Sequence, residues 1–140
     1  TARTKGMSAL VQFQTTRWFG DAFRAAHPEV SQALIEVFLA NDVACYEATC
    51  EMLGTTDLRA LLALLRMPVA IVVGVEDYAT PVAMAEALHA AIPHSTLSVL
   101  PNARHLTPVE RPGDIATTIL NLAHNDRSRV SAVHRAGQPR

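Results

Sequence analysis

The chain changes its hydrophobic period once, at Met67-Pro68, and that switch decides most of what it can fold into. Before it, apolar residues recur at helical spacing. Met7, Leu10, Val11 and Gln14 share one face. Phe19, Ala22, Phe23 and Ala26 share another, ended at His27-Pro28 because proline disfavours α geometry in the residue before it. Val30, Leu34, Val37 and Phe38 predict a third helix, and Ala44, Ala48 and Met52 a fourth. Gly54 reads as a helix stop and Thr56 or Asp57 as the next N-cap. Leu58, Leu61, Leu62 and Leu65 then predict a short amphipathic helix. After the switch, Val69–Val73 reads as a strand buried on both faces. Pro81 suits the first position of a helix whose inner face is Met84, Ala85, Leu88 and Ile92. Thr96–Leu100 is a second strand, and Ile115–Leu122 a last helix introduced by Pro112-Gly113-Asp114.

Strand, helix, strand, helix of this length implies a right-handed parallel crossover, so the fold class is α/β. Two parallel strands cannot bury both faces and both edges alone. A second polypeptide must complete the sheet, or the chain is the C-terminal part of a longer one. The predicted organisation is a helical region over 1–65, the α/β unit over 66–124, and a disordered basic tail over 125–140 carrying Arg127, Arg129, Arg135 and Arg140.

The length of 140 residues suits one domain. The formal net charge of −1 gives no electrostatic reason to expect nucleic acid or a membrane surface as partner. Cys45 and Cys50 are spaced to point to different sides of a helix, which argues against a disulfide; no CxxC pair or adjacent histidine makes them metal ligands. No metal site and no glycine-rich phosphate loop can be assembled, so no cofactor is expected. No apolar run approaches the roughly 20 residues of a membrane helix. Thr1-Ala-Arg-Thr-Lys has no signal-peptide core behind it, and the expectation is a cytoplasmic protein.

Chemistry concentrates in two segments, Gly74-Val-Glu-Asp-Tyr-Ala-Thr-Pro81 and Asn102-Ala-Arg-His105, each placed just after a strand. They put an acid, Asp77, and a histidine, His105, at the C-terminal ends of parallel strands, where loops converge on one crevice. An acid there can fix the tautomer of an imidazole that moves protons. The plainer use of Asp77 is a turn or N-cap carboxylate, and of His105 a surface side chain; the paired strand-end context favours the relay. Glu76 is expected to be solvated, Arg104 exposed, and Tyr78 to pack on the strand end. His27, His89, His94, His124 and His134 show no partner spacing and read as surface residues.

Pro68–Pro81 resembles the acid-bearing strand and turn of α/β-hydrolases, and Leu97–Pro112 their catalytic-histidine turn. Upstream, Gly6-Met-Ser-Ala-Leu10, Thr16-Arg-Trp-Phe19, Phe23, Asp42, Tyr46–Cys50 and Asp57-Leu-Arg59 resemble the helical lid of 3-oxoadipate enol-lactonases. The resemblance implies that 1–65 is a lid and that 66–124 is the C-terminal part of an α/β-hydrolase core. Asn102 stands where the family usually has glycine, and asparagine tolerates the left-handed geometry. The family's nucleophile elbow, G-x-S-x-G, has no counterpart: Ser8 lacks the preceding strand and the second glycine, and neither cysteine lies between glycines.

The resemblance thus implies a Ser-His-Asp hydrolase of a small lactone or ester, above all 3-oxoadipate enol-lactone in aromatic-compound catabolism, with its serine outside this chain. Asp77 and His105 would be catalytic. Trp18 is either a packing anchor or a pocket wall, and Arg17 either a solvated helix residue or the partner of a substrate carboxylate. The same dyad would equally serve a general esterase, a C–C bond hydrolase or a cofactor-free haloperoxidase. A chain without its nucleophile could also be an inert module that docks on a partner through its open sheet edge.

Overall fold

The computed structural model describes residues 1–136, with side chains described as far as His124. Five helices and two 3₁₀ turns come first: α1 (Ala2–Lys5), a turn over Met7–Leu10, α2 (Val11–Trp18), α3 (Asp21–Ala26), α4 (Pro28–Leu39), α5 (Val43–Thr55) and a turn over Arg59–Leu64. Then follow β1 (Ala70–Gly74), α6 (Val82–Ala91), β2 (Thr96–Leu100), α7 (Thr107–Glu110) and α8 (Pro112–Ala136).

The helical half builds a small core of its own. Ala2, Met7 and Phe38 are buried, with Leu10, Val11, Trp18, Val43 and Tyr46 packed around them. Phe38 meets Trp18 and Tyr46 edge-on, with ring centroids 5.4 and 5.7 Å apart. Asp42 caps α5 by accepting from the Cys45 N–H. The inner face of α5 is Val43, Tyr46 and Glu47, so the predicted stripe Ala44, Ala48 and Met52 is on its exposed side; small apolar residues carry too little area to fix a face by themselves. Gly54 does not stop α5, which ends one residue later where Thr56 turns extended; a helical glycine costs about 1 kcal/mol without breaking the helix. The leucines after Leu58 form a 3₁₀ turn in place of an amphipathic helix, and Leu58, Leu61 and Leu64 are exposed.

The two strands pair in parallel and level, Ala70 opposite Thr96 through Gly74 opposite Leu100, and they form the whole sheet among the described residues. Burial is uneven. Val73 and Gly74 are enclosed, whereas Ala70, Ile71 and Val72 are only half-buried. Helix α6 packs on both strands and α8 against β1. With so narrow a sheet to cover, α6 buries Ala85 and, at its C-cap, Ile92, and leaves Met84 and Leu88 exposed. Pro81 is the N-cap of α6, one position earlier than expected. Helix α8 runs on past Leu122, and the side chains of the predicted basic tail, together with residues 137–140 and the surface role expected of His134, lie outside the described residues.

Candidate active site

Level strands bring their C-terminal ends to one place, so the two loops that leave them must touch. Val75 N–H donates to the carbonyl of Leu100, and Glu76 N–H to that of Ala103. The crossing is close enough to dictate a residue. A β-carbon on Gly74 would lie 2.2 Å from the Ala103 carbonyl oxygen and 2.4 Å from that of Arg104. Asn102 turns the chain here in the left-handed region, at φ 53°, as its side chain tolerates.

Asp77 and His105 meet across this junction. His105 Nδ1 is 2.9 Å from Asp77 Oδ2. The carboxylate is fixed on every side: Oδ1 accepts from the backbone N–H groups of Ala79 (2.8 Å) and Thr80 (2.9 Å), and Oδ2 also accepts from the Thr80 hydroxyl (2.8 Å). The Asp77 side chain is 4% exposed and that of His105 35%. Burial pushes the Asp77 pKa up, but the Thr80 N–H, the His105 ring and the Thr80 hydroxyl outweigh it and hold the carboxyl below its ordinary range. A carboxylate kept ionised and aimed at Nδ1 holds a proton on that nitrogen, leaving Nε2 as the basic one. Among the described residues, no serine or cysteine is hydrogen-bonded to the His105 ring. Ser8 lies in the 3₁₀ turn of the helical half, and Cys45 and Cys50 are exposed on α5. No group of three or more metal-ligating side chains occurs among the described residues.

The helical half reaches this junction directly. The Trp18 carbonyl accepts from the backbone N–H groups of His105 (3.2 Å) and Leu106 (2.9 Å). Trp18, Leu34, Val37, Phe38, Asn41 and Leu106 line a hollow of about 220 Å³ beside the histidine turn. Trp18 thus packs edge-on against Phe38 and also lines this hollow. Arg17 is half-buried with its guanidinium carbon 4.9 Å above the Phe13 ring.

Two neighbours differ from expectation. Arg104, predicted to be exposed, has a side chain only 13% exposed, because it spans to the Thr16 carbonyl (2.7 Å), Asp21 (3.3 Å) and Glu76 (3.2 Å). Glu76 is exposed to solvent, as expected, and also pairs with Arg104. Tyr78 is exposed and lies under the Arg104 guanidinium, 5.6 Å from ring centroid to its carbon. Among the other histidines, His89 Nδ1 is 2.8 Å from the Ser95 hydroxyl and His27 Nδ1 3.6 Å from Glu29. Two residues carried no functional signal in the sequence. Thr80 was legible only as the residue before a helix-opening proline, and Glu110 is buried, although glutamate rarely is.

Comparison with known proteins bears on the fold that carries this site. The chain is 34% identical over 110 residues to 3-oxoadipate enol-lactonase 2 of Acinetobacter baylyi, a match covering 79% of this chain and 41% of that one. It superposes on the enol-lactonase from Burkholderia xenovorans LB400 with a TM-score of 0.84 and 28% identity, over 88% of this chain and 47% of that one. A thermophilic esterase from Thermogutta terrifontis gives 0.80 and 26%, over 89% and 46%. No family model matches the chain. The chain spans about two-fifths of the length of the curated relatives it matches, in their C-terminal part, and has the α/β-hydrolase fold there.

Proposed function

We propose that this chain carries the acid, the base and the lid of an α/β-hydrolase that opens a small lactone or ester, with 3-oxoadipate enol-lactone as the favoured substrate. The observation that carries the reading is the 2.9 Å contact between His105 Nδ1 and an Asp77 carboxylate that three further donors hold. In this reading a serine outside these residues attacks the ring carbonyl while His105 Nε2 takes its proton. The carbonyl oxygen becomes an oxyanion, the ring C–O bond breaks, and the imidazolium returns the proton to the leaving oxygen. Water, activated by the same nitrogen, then releases the open-chain acid and restores the serine, and the enol left by ring opening shifts its proton from oxygen to carbon to give the 3-oxo form. Asp77 stays ionised throughout and compensates the imidazolium charge. No cofactor enters this sequence.

The lid is assigned to residues 1–65, with Trp18 as a pocket wall and Arg17 as the partner for the substrate's carboxylate. The nucleophile-bearing part is expected to complete the sheet at the free edge of β1. Hydrolysis of an enol-lactone by the intact protein, compared with a simple activated ester, tests both chemistry and substrate. Near-normal turnover after His105→Ala would overturn the reading.

One observation favours a second reading. Met84, Leu88, Val99, Ile119 and Leu120 are exposed around a two-stranded sheet, which suits a module that docks on a partner without turnover. Absence of a burst with an activated ester, in a protein that associates stably with a second chain, would support it instead.

A further inference from the structure

We infer that Glu110 and Arg104 are positioning residues that fasten the lid strap Thr16–Asp21 to the histidine turn, so that the lid as well as the sheet holds His105 in place. Glu110, the last residue of α7, is buried between the two segments and satisfies one backbone donor on each. Its Oε1 accepts from the Gly20 N–H at 2.7 Å, and its Oε2 from the Arg104 N–H at 2.6 Å. These are short, charge-assisted bonds, the strong kind in a buried setting. Arg104 crosses the same gap in the other direction. Its Nη1 donates to the Thr16 carbonyl and Asp21 Oδ1, and its Nη2 to Glu76 beside the acid loop. Between these two side chains, the Trp18 carbonyl receives the N–H groups of His105 and Leu106.

The strap is therefore bound through side chains at its ends and through backbone at its middle. Gly20 fits the arrangement, since a β-carbon there would come within 3.3 Å of both Glu110 Oε1 and Glu76 Oε2. Neither Glu110 nor Arg104 touches the reacting atoms. Their effect on catalysis runs through the backbone of His105, whose ring must keep its register with Asp77 while Nε2 meets a nucleophile. A displacement of about 1 Å at such a position can cost on the order of 100-fold in rate.

This inference rests on His105 being the base, and the test separates the two. Amide hydrogen exchange of Gly20, Arg104, His105 and Leu106 is compared with that of Ala70–Gly74 in the intact protein and its Glu110→Ala, Glu110→Gln and Arg104→Met variants. Turnover of p-nitrophenyl acetate is measured alongside. Expected is faster exchange at the first four amides with the strand unchanged, and a roughly 10- to 100-fold lower kcat with KM for this small ester unaltered. Glu110→Gln, which keeps one acceptor oxygen but turns an NH₂ on the other donor, is expected between wild type and Glu110→Ala. Should Glu110→Ala fail to fold, the Gln and Met variants carry the comparison. Parallel acceleration of strand and strap amides, or normal kcat with the strap loosened, would overturn the inference. Full activity in His105→Ala would overturn the reading beneath it, whatever the exchange pattern.

Discussion

Gly74 and Ala103 approach so closely that no side chain fits between them: a β-carbon on the glycine would stand 2.2 Å from the alanine's carbonyl oxygen. The neighbours are backbone on both sides, so relief requires moving the histidine turn away from the acid loop. Gly74→Ala should destabilise the protein by about 3 kcal/mol or more, as severe overpacking does. It should also depress turnover beyond what the lost folded fraction explains, because Ala103 is two residues from His105. Urea unfolding and activity per folded molecule check both parts. A variant with unchanged midpoint and activity would refute the close crossing.

The partners of Asp77 make Asp77→Asn informative. Oδ1 accepts two backbone N–H groups, and the amide oxygen of asparagine would take that place. Its NH₂ would then face His105 Nδ1 and the Thr80 hydroxyl. Nδ1 would have to accept, the ring proton would move to Nε2, and the base would be lost with little change in shape. The expected fall in kcat is on the order of 1,000- to 10,000-fold at near-native stability. Nitrogen chemical shifts of the His105 ring report the tautomer directly, and retention of the Nδ1–H form would sink the argument.

Thr80 sets the acid limit of this arrangement. The Asp77 pKa lies below its unfolded value of about 3.9. Its contribution to stability is therefore fully present above that value and is lost as pH falls through the folded pKa. Thr80→Val keeps the shape but deletes the 2.8 Å hydroxyl donor to Oδ2. The folded pKa should rise toward the ordinary carboxylate value, and the acid-unfolding midpoint should move to higher pH with it. Circular dichroism across an acid titration measures the midpoint, and an unchanged value would assign the stabilisation to the backbone donors and the His105 ring.

Asp77 and His105 were legible because short apolar strands announce their own ends and the loops beyond them are where such pairs converge. The parallel pairing followed from the same two runs. What the sequence hid was long-range. Arg104 looks like any loop arginine until the fold brings Thr16, Asp21 and Glu76 around it, and Glu110 looks like any helix-end glutamate until the strap arrives. Burial of a charged residue depends on partners tens of residues away, and no local pattern records it. The helix faces failed for a related reason: Met84 and Leu88 have apolar character but only two strands to cover.

Under the proposed function, Arg17 is the residue that would distinguish a lactone carrying a carboxylate from a neutral ester. At rest its guanidinium lies over the Phe13 ring, a contact worth about 0.5–1 kcal/mol at a half-exposed site. A charge-assisted bond to a substrate carboxylate is worth about 1.5–3 kcal/mol, so exchanging one for the other is favourable by about 1–2 kcal/mol, or roughly 5- to 30-fold in affinity. Arg17→Ala should raise KM by that factor for an enol-lactone bearing a carboxylate and leave KM for a neutral ester of similar size unaltered. Because the guanidinium meets no reacting atom in this reading, kcat should hold for both. Arg17→Lys keeps the charge but not the two-pronged geometry and should fall between. Steady-state kinetics on the two substrates decide the matter: equal KM changes, or none, would remove Arg17 from the pocket and favour a general esterase on the same Asp77–His105 pair.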